Sequence, residues 1–475
     1  MKLITSKRLF LVTIVCAFVH VLRIYLRGYL EDPDVGSFIL MSQAFWSGEE
    51  MYRDFFDPKL PHILPLYLVS AFSGSIAGHL VVTLLTICLT GFIVTLSGKN
   101  IWGGPIYIGL ALLSPGGATG HLAVFANLIV ACAYYSLTRY RVLGLSCNPR
   151  KYSYAWLFLS SGLIGYAIGL RPNYGFALLP LAIWFLWEKK VSFKAGLAWS
   201  CGCVLSFLTP IVIALIQSGF TPINLFELFR AWNRFFYTHQ DATGFPSRII
   251  EMYSHPVGPI RLGAIVVIYL VAFGFCVPRR ELLVKIKPFL LAVAAIWFSY
   301  LLSHTYNHYI LMDIMIISLG VSSMRMSSSS APLAMVTCLL WLALLLSPAN
   351  GHSRTDAITI GNQNKMLAWI KDNNLKGIVS PMWLTPQWTT WSKVPTHGIH
   401  PEWSIGLLDR YDFKNLKVAK EFGLASSWES QCALWESEAT VFIATQEIFD
   451  RCEFQRFTVV PEFKDAHLKA WIKRA

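Results

Sequence analysis

The chain has 475 residues, 55% of them hydrophobic and only 14% charged, with a formal charge of +13 and a mean hydropathy of +0.50. A soluble protein carries nearer a quarter charged residues. Here apolar runs of about 16–22 residues, the length that spans a bilayer, recur from residue 9 to residue 349, which excludes an ordinary soluble fold.

In chain order the expected spans are 9–29, 77–97, 101–116, 120–137, 153–170, 175–188, 195–217, 260–278, 288–304, 308–324 and 330–348. The first is flanked by Lys7 and Arg8 and lacks a small-residue cleavage site, so it reads as a retained anchor. With the N-terminus in the cytoplasm, the inner loops hold sixteen Lys and Arg against two acids, Glu188 and Glu281; the remainder of the +13 chain then sums to −1. All the basic excess thus lies on one side, as the positive-inside rule requires. The charge is a topology signal, and without a basic stripe on a soluble face it does not point to nucleic acid. The pattern predicts an all-α polytopic membrane protein of about eleven transmembrane helices over residues 1–349, with loops 30–76 and 218–259 and the tail 350–475 outside.

Loop 30–76 is not purely polar. Phe38, Ile39, Phe45 and Trp46 stand among small residues at 35–47, which predicts a helix lying in the interface. Residues 62–75 are apolar but short and contain Pro65, which predicts a re-entrant or interfacial segment. Loop 218–259 carries the aromatic and basic stretch FELFRAWNRFFYTHQD. The tail is polar, with helices expected near 361–374 and 412–422 and strands at 377–383, 440–445 and 456–460, the makings of a small external α/β domain. Its tryptophans Trp383, Trp388, Trp391 and Trp403 read first as packing or interfacial groups and second as platforms for sugars. Of ten cysteines, only Cys432 and Cys452 fall in the tail, where an oxidising compartment would allow a disulfide between them.

Asp32, Asp34, Asp54, Asp57, Arg53 and Lys59 gather in the first loop, beside a bilayer. Charge in such a place is costly and marks a functional site. The Asp32-Pro33-Asp34 run has the spacing of the Asp-x-Asp that holds a divalent metal on a nucleotide-sugar diphosphate, but it lies outside the membrane, where nucleotide sugars are not supplied. No Gly-rich phosphate cradle opens a soluble helix. An external active site must draw its activated group from a lipid that has crossed the bilayer.

The run from Asp34 to Tyr67 resembles the first external loop of the GT-C glycosyltransferase superfamily, in the branch of protein mannosyltransferases and aminoarabinose transferases. The matching positions are Asp34, Gly36, Gly48, Tyr52, Asp54, Phe55, Asp57, Lys59, Pro61 and Tyr67. Two departures stand out. The family's Asp-Glu pair reads Asp34-Val35, with Asp32 available as the second acid, and its Lys-Pro-Pro reads Lys59-Leu60-Pro61.

The resemblance implies inverting transfer of a sugar from a polyprenyl-phosphate donor to a glycan, lipid or protein acceptor for cell-envelope synthesis. The setting would be a bacterial inner membrane with a periplasmic active site. A carboxylate must take the acceptor's proton; Asp34 is the expected base and Asp32 the alternative. The competing role for Asp34 is a helix N-cap. A divalent metal at Asp32 and Asp34 is the alternative to a metal-free site. The leaving phosphate needs nearby cations, for which Lys59 and Arg171 are the candidates, with His308 and Tyr309 as further phosphate contacts and Asp57, Tyr52 and Arg234 lining donor or acceptor. The bland readings are an ion pair of Lys59 with Asp57 or Asp54, snorkelling of Arg171 to the interface, and an aromatic-belt role for Tyr309. Two other functions compete with the enzyme: a transporter or flippase of lipid-linked glycans, and a non-catalytic scaffold of an envelope-assembly complex. Charge clustered at one surface rather than at mid-membrane favours the enzyme.

Overall fold

The computed structural model describes residues 2–27, 33–48, 50–51, 60–114, 116–143, 150–188, 191–219, 221–227, 230, 256–257, 260–278, 285–302, 309–326, 331–346, 365–366, 368–375, 377–379, 432–433, 435–437, 439–466 and 468–474. It divides into two compact units. The first comprises Met1–Tyr29, Leu80–Pro210 and Asp241–His352; the second comprises Leu30–His79, Ile211–Gln240 and Ser353–Ala475.

Each expected span coincides with a helix. These are α1 (Lys2–Arg27), α4 (Ile76–Ser97), α5 (Gly103–Leu113), α6 (Leu122–Leu143), α7 (Arg150–Leu170), α8 (Asn173–Glu188), α9 (Phe193–Ser218), α10 (Leu262–Cys276), α11 (Lys287–Leu302), α12 (Ile310–Ser323) and α13 (Ala331–Leu346). Among the described residues three segments are long and apolar enough to cross a bilayer, Ala77–Ser97, Leu122–Tyr140 and Phe193–Ser218, and shorter apolar helices lie within α1, α5, α7 and α10 to α13. Large apolar side chains such as Leu85, Ile216 and Phe275 stay exposed on these helices. Water would penalise that surface and lipid would not. The chain is an integral-membrane protein.

Inside the first unit, glycine sets two of the closest approaches. A Cβ added at Gly104 of α5 would run into Gly91 O and Thr95 Oγ1 of α4, and one added at Gly165 of α7 would run into the backbone of Cys203 in α9. Small residues let backbones meet where dispersion contacts must hold helices together in lipid. Between α4 and α5, Asn100 Nδ2 donates to Val321 O (2.6 Å) and Met324 O (2.8 Å), and Lys99 N donates to Ser322 O (2.6 Å). The α4–α5 turn is thereby tied to the end of α12.

In the second unit, α2 (Pro33–Trp46) is followed by a 3-10 turn (Pro61–Leu66) and by α3 (Leu68–Ser73). The expected interfacial helix at 35–47 differs in its environment. Residues 35–42 are all buried and only Phe45 and Trp46 near its end are exposed. The small residues Gly36, Ser37 and Ser42 allow close packing on sides an interfacial helix would show to water.

The tail forms a four-stranded sheet in the order β3 (Ile378–Val379), β4 (Val441–Ala444), β6 (Lys469–Lys473), β5 (Phe457–Val459). β3 runs parallel to β4, while β6 is antiparallel to both β4 and β5. Alternate residues point to opposite faces, and both faces are covered. Ile378, Val441, Ile443 and Ala470 pack with Met366, Ile370 and Phe463 on one. Val379, Phe442, Ala444 and Trp471 pack with Trp435, Phe454 and Phe457 on the other. The helix α14 (Gln446–Cys452) lies on this second face, where Phe449 stacks on Trp471 with centroids 4.2 Å apart. Cys432 and Cys452 form a disulfide, Cα–Cα 5.3 Å. Strands are found at all three expected places, with 380–383 of the first outside the described residues, and helical turns at 365–366 and 368–372 fall within the expected helix at 361–374. The expected helix at 412–422 and the four tryptophans between 383 and 403 lie outside the described residues. In the membrane part, β1 (Pro256–Val257) and β2 (Ile260–Arg261) make a short antiparallel pair before α10.

Candidate functional site

The acidic loop is built on α2. Pro33 starts this helix, where its fixed φ and missing N–H cost nothing, and Asp34 falls in its first turn, half-buried. Asp34 is therefore not the capping residue, the competing role set out above. Its carboxylate stands within the turn where free N–H groups and the helix dipole favour negative charge. The 3-10 turn folds back on α2 through Ser42, whose Oγ lies 2.8 Å from Phe38 O and 2.8 Å from Leu64 O. A hydroxyl has a single proton, so it serves one carbonyl at a time. Tyr67, the last position of the loop motif, is fully buried; its ring lies 5.2 Å from Phe38 and stacks at 6.4 Å on His79. His79 Nδ1 is 2.9 Å from Ser70 Oγ. Pro61 and Tyr67 thus act here as packing residues that fix the base of α2. Asp32, Tyr52, Asp57, Lys59, Arg234 and His308 lie outside the described residues, as do Arg53 and Asp54.

The second cluster lies in the first unit, where three helix ends converge. Arg171 follows the last residue of α7, and Pro172 separates it from α8. A residue before proline is turned away from helical geometry, which breaks the run here and puts the arginine at the join. Its guanidinium lies over the ring of Tyr309, Cζ 4.5 Å from the centroid. Its Nη2 is 3.1 Å from His121 Nδ1. Tyr309 immediately precedes α12 and His121 immediately precedes α6. The same Nη2 is 3.4 Å from His121 Nε2; arginine can only donate, so the contact requires an unprotonated ring nitrogen on His121. Of the residues singled out in the sequence, Arg171 and Tyr309 are brought together.

Beneath this cluster runs a buried polar column. Tyr174 of α8 donates its hydroxyl to Asn127 Oδ1 (2.5 Å), and Asn127 Nδ2 donates to Leu311 O (2.9 Å) and to Tyr107 Oη (3.2 Å). Tyr107, Asn127, Tyr174 and Asp313 are all fully buried. His121, Asn127 and Tyr107 were not legible as site neighbours. The signal for His121 was its place at the mouth of an expected span, level with Arg171.

What the cluster can do follows from its chemistry. A guanidinium held flat on a tyrosine keeps its plane and its N–H edge oriented. That edge suits a phosphate, which accepts charge-assisted bonds in a fork. Separately, in the second unit, the first turn of α2 favours the ionised form of Asp34, which is the form that can accept a proton.

No protein-family model matches the chain, and no curated protein matches it in sequence. Solved structures do match. The crystal structure of ArnT from Cupriavidus metallidurans bound to undecaprenyl phosphate is similar with a TM-score of 0.60 at 13% identity, covering 98% of this chain and 97% of that one. The apo crystal structure of the same protein is similar with a TM-score of 0.51 at 14% identity, covering 99% and 98%. The chain shares the fold of that protein over essentially its whole length.

Proposed function

We propose that the chain is a glycosyltransferase that moves a sugar from a polyprenyl-phosphate carrier to an acceptor on the external face of the membrane. The observation that carries this reading is the end-to-end likeness in fold to a transferase whose crystal structure holds undecaprenyl phosphate. In this reading residues 1–349 form the membrane-embedded catalytic part and 350–475 an external domain, in a bacterial inner membrane with the C-terminus periplasmic. Asp34 is the base, with Asp32 beside it. As the acceptor attacks the anomeric carbon, Asp34 takes its proton; the C–O bond to the carrier breaks with inversion and the lipid phosphate leaves with the bonding pair. Arg171, stacked on Tyr309, neutralises the phosphate, aided by Lys59 and His308, while Asp57, Tyr52 and Arg234 contact donor or acceptor. The Cys432–Cys452 disulfide supports an oxidising location for the tail.

The test is transfer by the reconstituted full chain from a purified polyprenyl-phosphate sugar and, separately, from a nucleotide sugar. The expected result is turnover with the lipid donor alone. Turnover with the nucleotide sugar alone overturns the donor. Movement of a lipid-linked glycan across the vesicle without transfer establishes the transporter.

A further inference from the structure

At the other end of the first unit's helices lies a cavity of about 480 Å³. It is reached by Lys99 just after α4, Arg139 in the last turn of α6, Glu188 at the end of α8 and Lys285 just before α11. All four charged groups thus come from helix ends on one side of the bundle. His121, before the start of α6, belongs to the opposite side; the 18 residues to Arg139 correspond to roughly 27 Å along a helix. The charged mouth of the cavity is therefore separate from the Arg171–His121–Tyr309 cluster by about the thickness of a hydrocarbon core, while its apolar end at Val130 and Leu178 reaches inward along the helices.

The lining divides by chemistry. Val130, Ala133, Leu137, Ile164, Leu178 and Leu319 are buried apolar walls, while Lys99 and Glu188 are exposed and Arg139 and Lys285 half-buried. Among the described lining residues three cations, Lys99, Arg139 and Lys285, stand against one carboxylate, Glu188, whose Oε1 is 3.4 Å from Lys285 Nζ. Arg139 is held in place: its Nε donates to Tyr135 Oη (2.7 Å) and its guanidinium lies 4.8 Å over the same ring. That uses one of its five N–H donors.

A cavity of this volume is in the range of small-molecule sites. A neutral hydrocarbon would gain nothing from the cations, and a free anion would gain nothing from the walls. We propose that this is a binding site for an anionic phospholipid of the surrounding membrane, its phosphate headgroup between Lys99 and Arg139 and part of an acyl chain in the apolar cavity. The assignment rests on the cavity alone and does not depend on the chain being a transferase.

The experiment is thermal unfolding of the full chain in neutral detergent micelles, titrated with phosphatidylglycerol, with phosphatidylcholine of the same acyl chains, or with glycerol 3-phosphate. A ligand of the folded state raises the midpoint in a saturable way. Phosphatidylglycerol alone is expected to do so. Lys99→Gln should weaken its apparent affinity about tenfold, the scale of one charge-assisted contact, and Ala133→Leu, which fills the cavity without touching the charges, should abolish the response. Lys99 is exposed, so its replacement leaves folding intact and keeps the test decisive. Equal shifts with phosphatidylcholine, a shift with glycerol 3-phosphate alone, or an unaltered phosphatidylglycerol response in both variants overturns the site.

Discussion

The guanidinium of Arg171 lies flat over the ring of Tyr309, 4.5 Å from its centroid, although the two belong to helix ends far apart in the chain. A cation over an aromatic face gains about 0.5–2 kcal/mol, more as water is excluded. The same stacking fixes the guanidinium plane and leaves its donor edge for a ligand. Lysine can supply the charge but not the plane. Arg171→Lys is expected to lower turnover with a polyprenyl-phosphate sugar by about tenfold or more, a loss of 1–3 kcal/mol in charged hydrogen bonding. Tyr309→Phe keeps the ring and should stay near normal. Steady-state assay in vesicles checks both; a fully active Arg171→Lys removes the oriented-guanidinium argument.

Asp34→Asn preserves the shape of the first turn of α2 and removes the proton acceptor. Turnover should fall by about a hundredfold or more, the usual consequence of losing a positioned base, in a protein that inserts normally. Asp32→Asn should cost less. A dead Asp32→Asn beside an active Asp34→Asn would exchange the two roles.

The buried column makes a stability prediction. Asn127→Leu removes the acceptor of Tyr174 and the donor to Tyr107 and Leu311. Leaving a buried polar group unmatched costs about 1–3 kcal/mol, so the unfolding midpoint in detergent should drop by several degrees. Tyr174→Phe, which removes only one partner's proton, should cost less. A variant Asn127→Leu as stable as the parent would mean that Tyr174, Tyr107 and Leu311 find other partners.

Two glycines should behave in opposite ways. At Gly165 an added Cβ meets the backbone of Cys203, whereas at Gly274 nothing lies within 4 Å. Gly165→Ala must separate α7 from α9 and should destabilise by about 1–3 kcal/mol, the cost of overpacking. Gly274→Ala should be neutral or stabilising by up to about 1 kcal/mol through helix propensity. Thermal unfolding of the pair under one set of conditions decides it.

Topology is open to a direct check. A reporter fused after residue 475 should signal the external side, and Cys432 and Cys452 should resist an alkylating thiol reagent until a reductant is added, because they are bonded to each other. A cytoplasmic signal from the fusion would reverse the orientation proposed for every loop.

How much of this could be read in advance depends on what kind of signal each element leaves. A lipid-facing helix needs a long apolar run, and α4, α6 and α9 stood at their expected places within a few residues. α5 is shorter than its run, Gly103–Leu113 against 101–116, because Asn100 and Ser114 bind backbone groups at its two ends. The polar column escaped notice because one Asn or Tyr inside an apolar run hardly changes its average hydropathy; its meaning comes from partners on three other helices. α2 was legible as a helix, but not the burial of 35–42, because Phe and Trp beside small residues serve equally for an interface or for close packing. β6 was missed since Lys469-Ala-Trp-Ile-Lys473 is short and bounded by charge. Asp34, Arg171 and Tyr309 were legible as isolated polar groups at the edges of apolar runs, whereas the contact between the last two belongs to the fold.

β6 lies between β4 and β5 in the tail sheet, though it is the last of the four strands to be synthesised. Neither neighbour pairs with the other, so the sheet has no middle until Lys469–Lys473 has been made. The order of events during biogenesis follows. The helices are threaded into the bilayer first, and in the tail β3 and β4 can pair while β5 has no neighbour until Lys469–Lys473 has been made. An arrest or cleavage a dozen residues early would leave an otherwise inserted protein carrying a tail with its central ladder missing, a form that quality-control proteases at the membrane surface could recognise while the membrane part stayed intact.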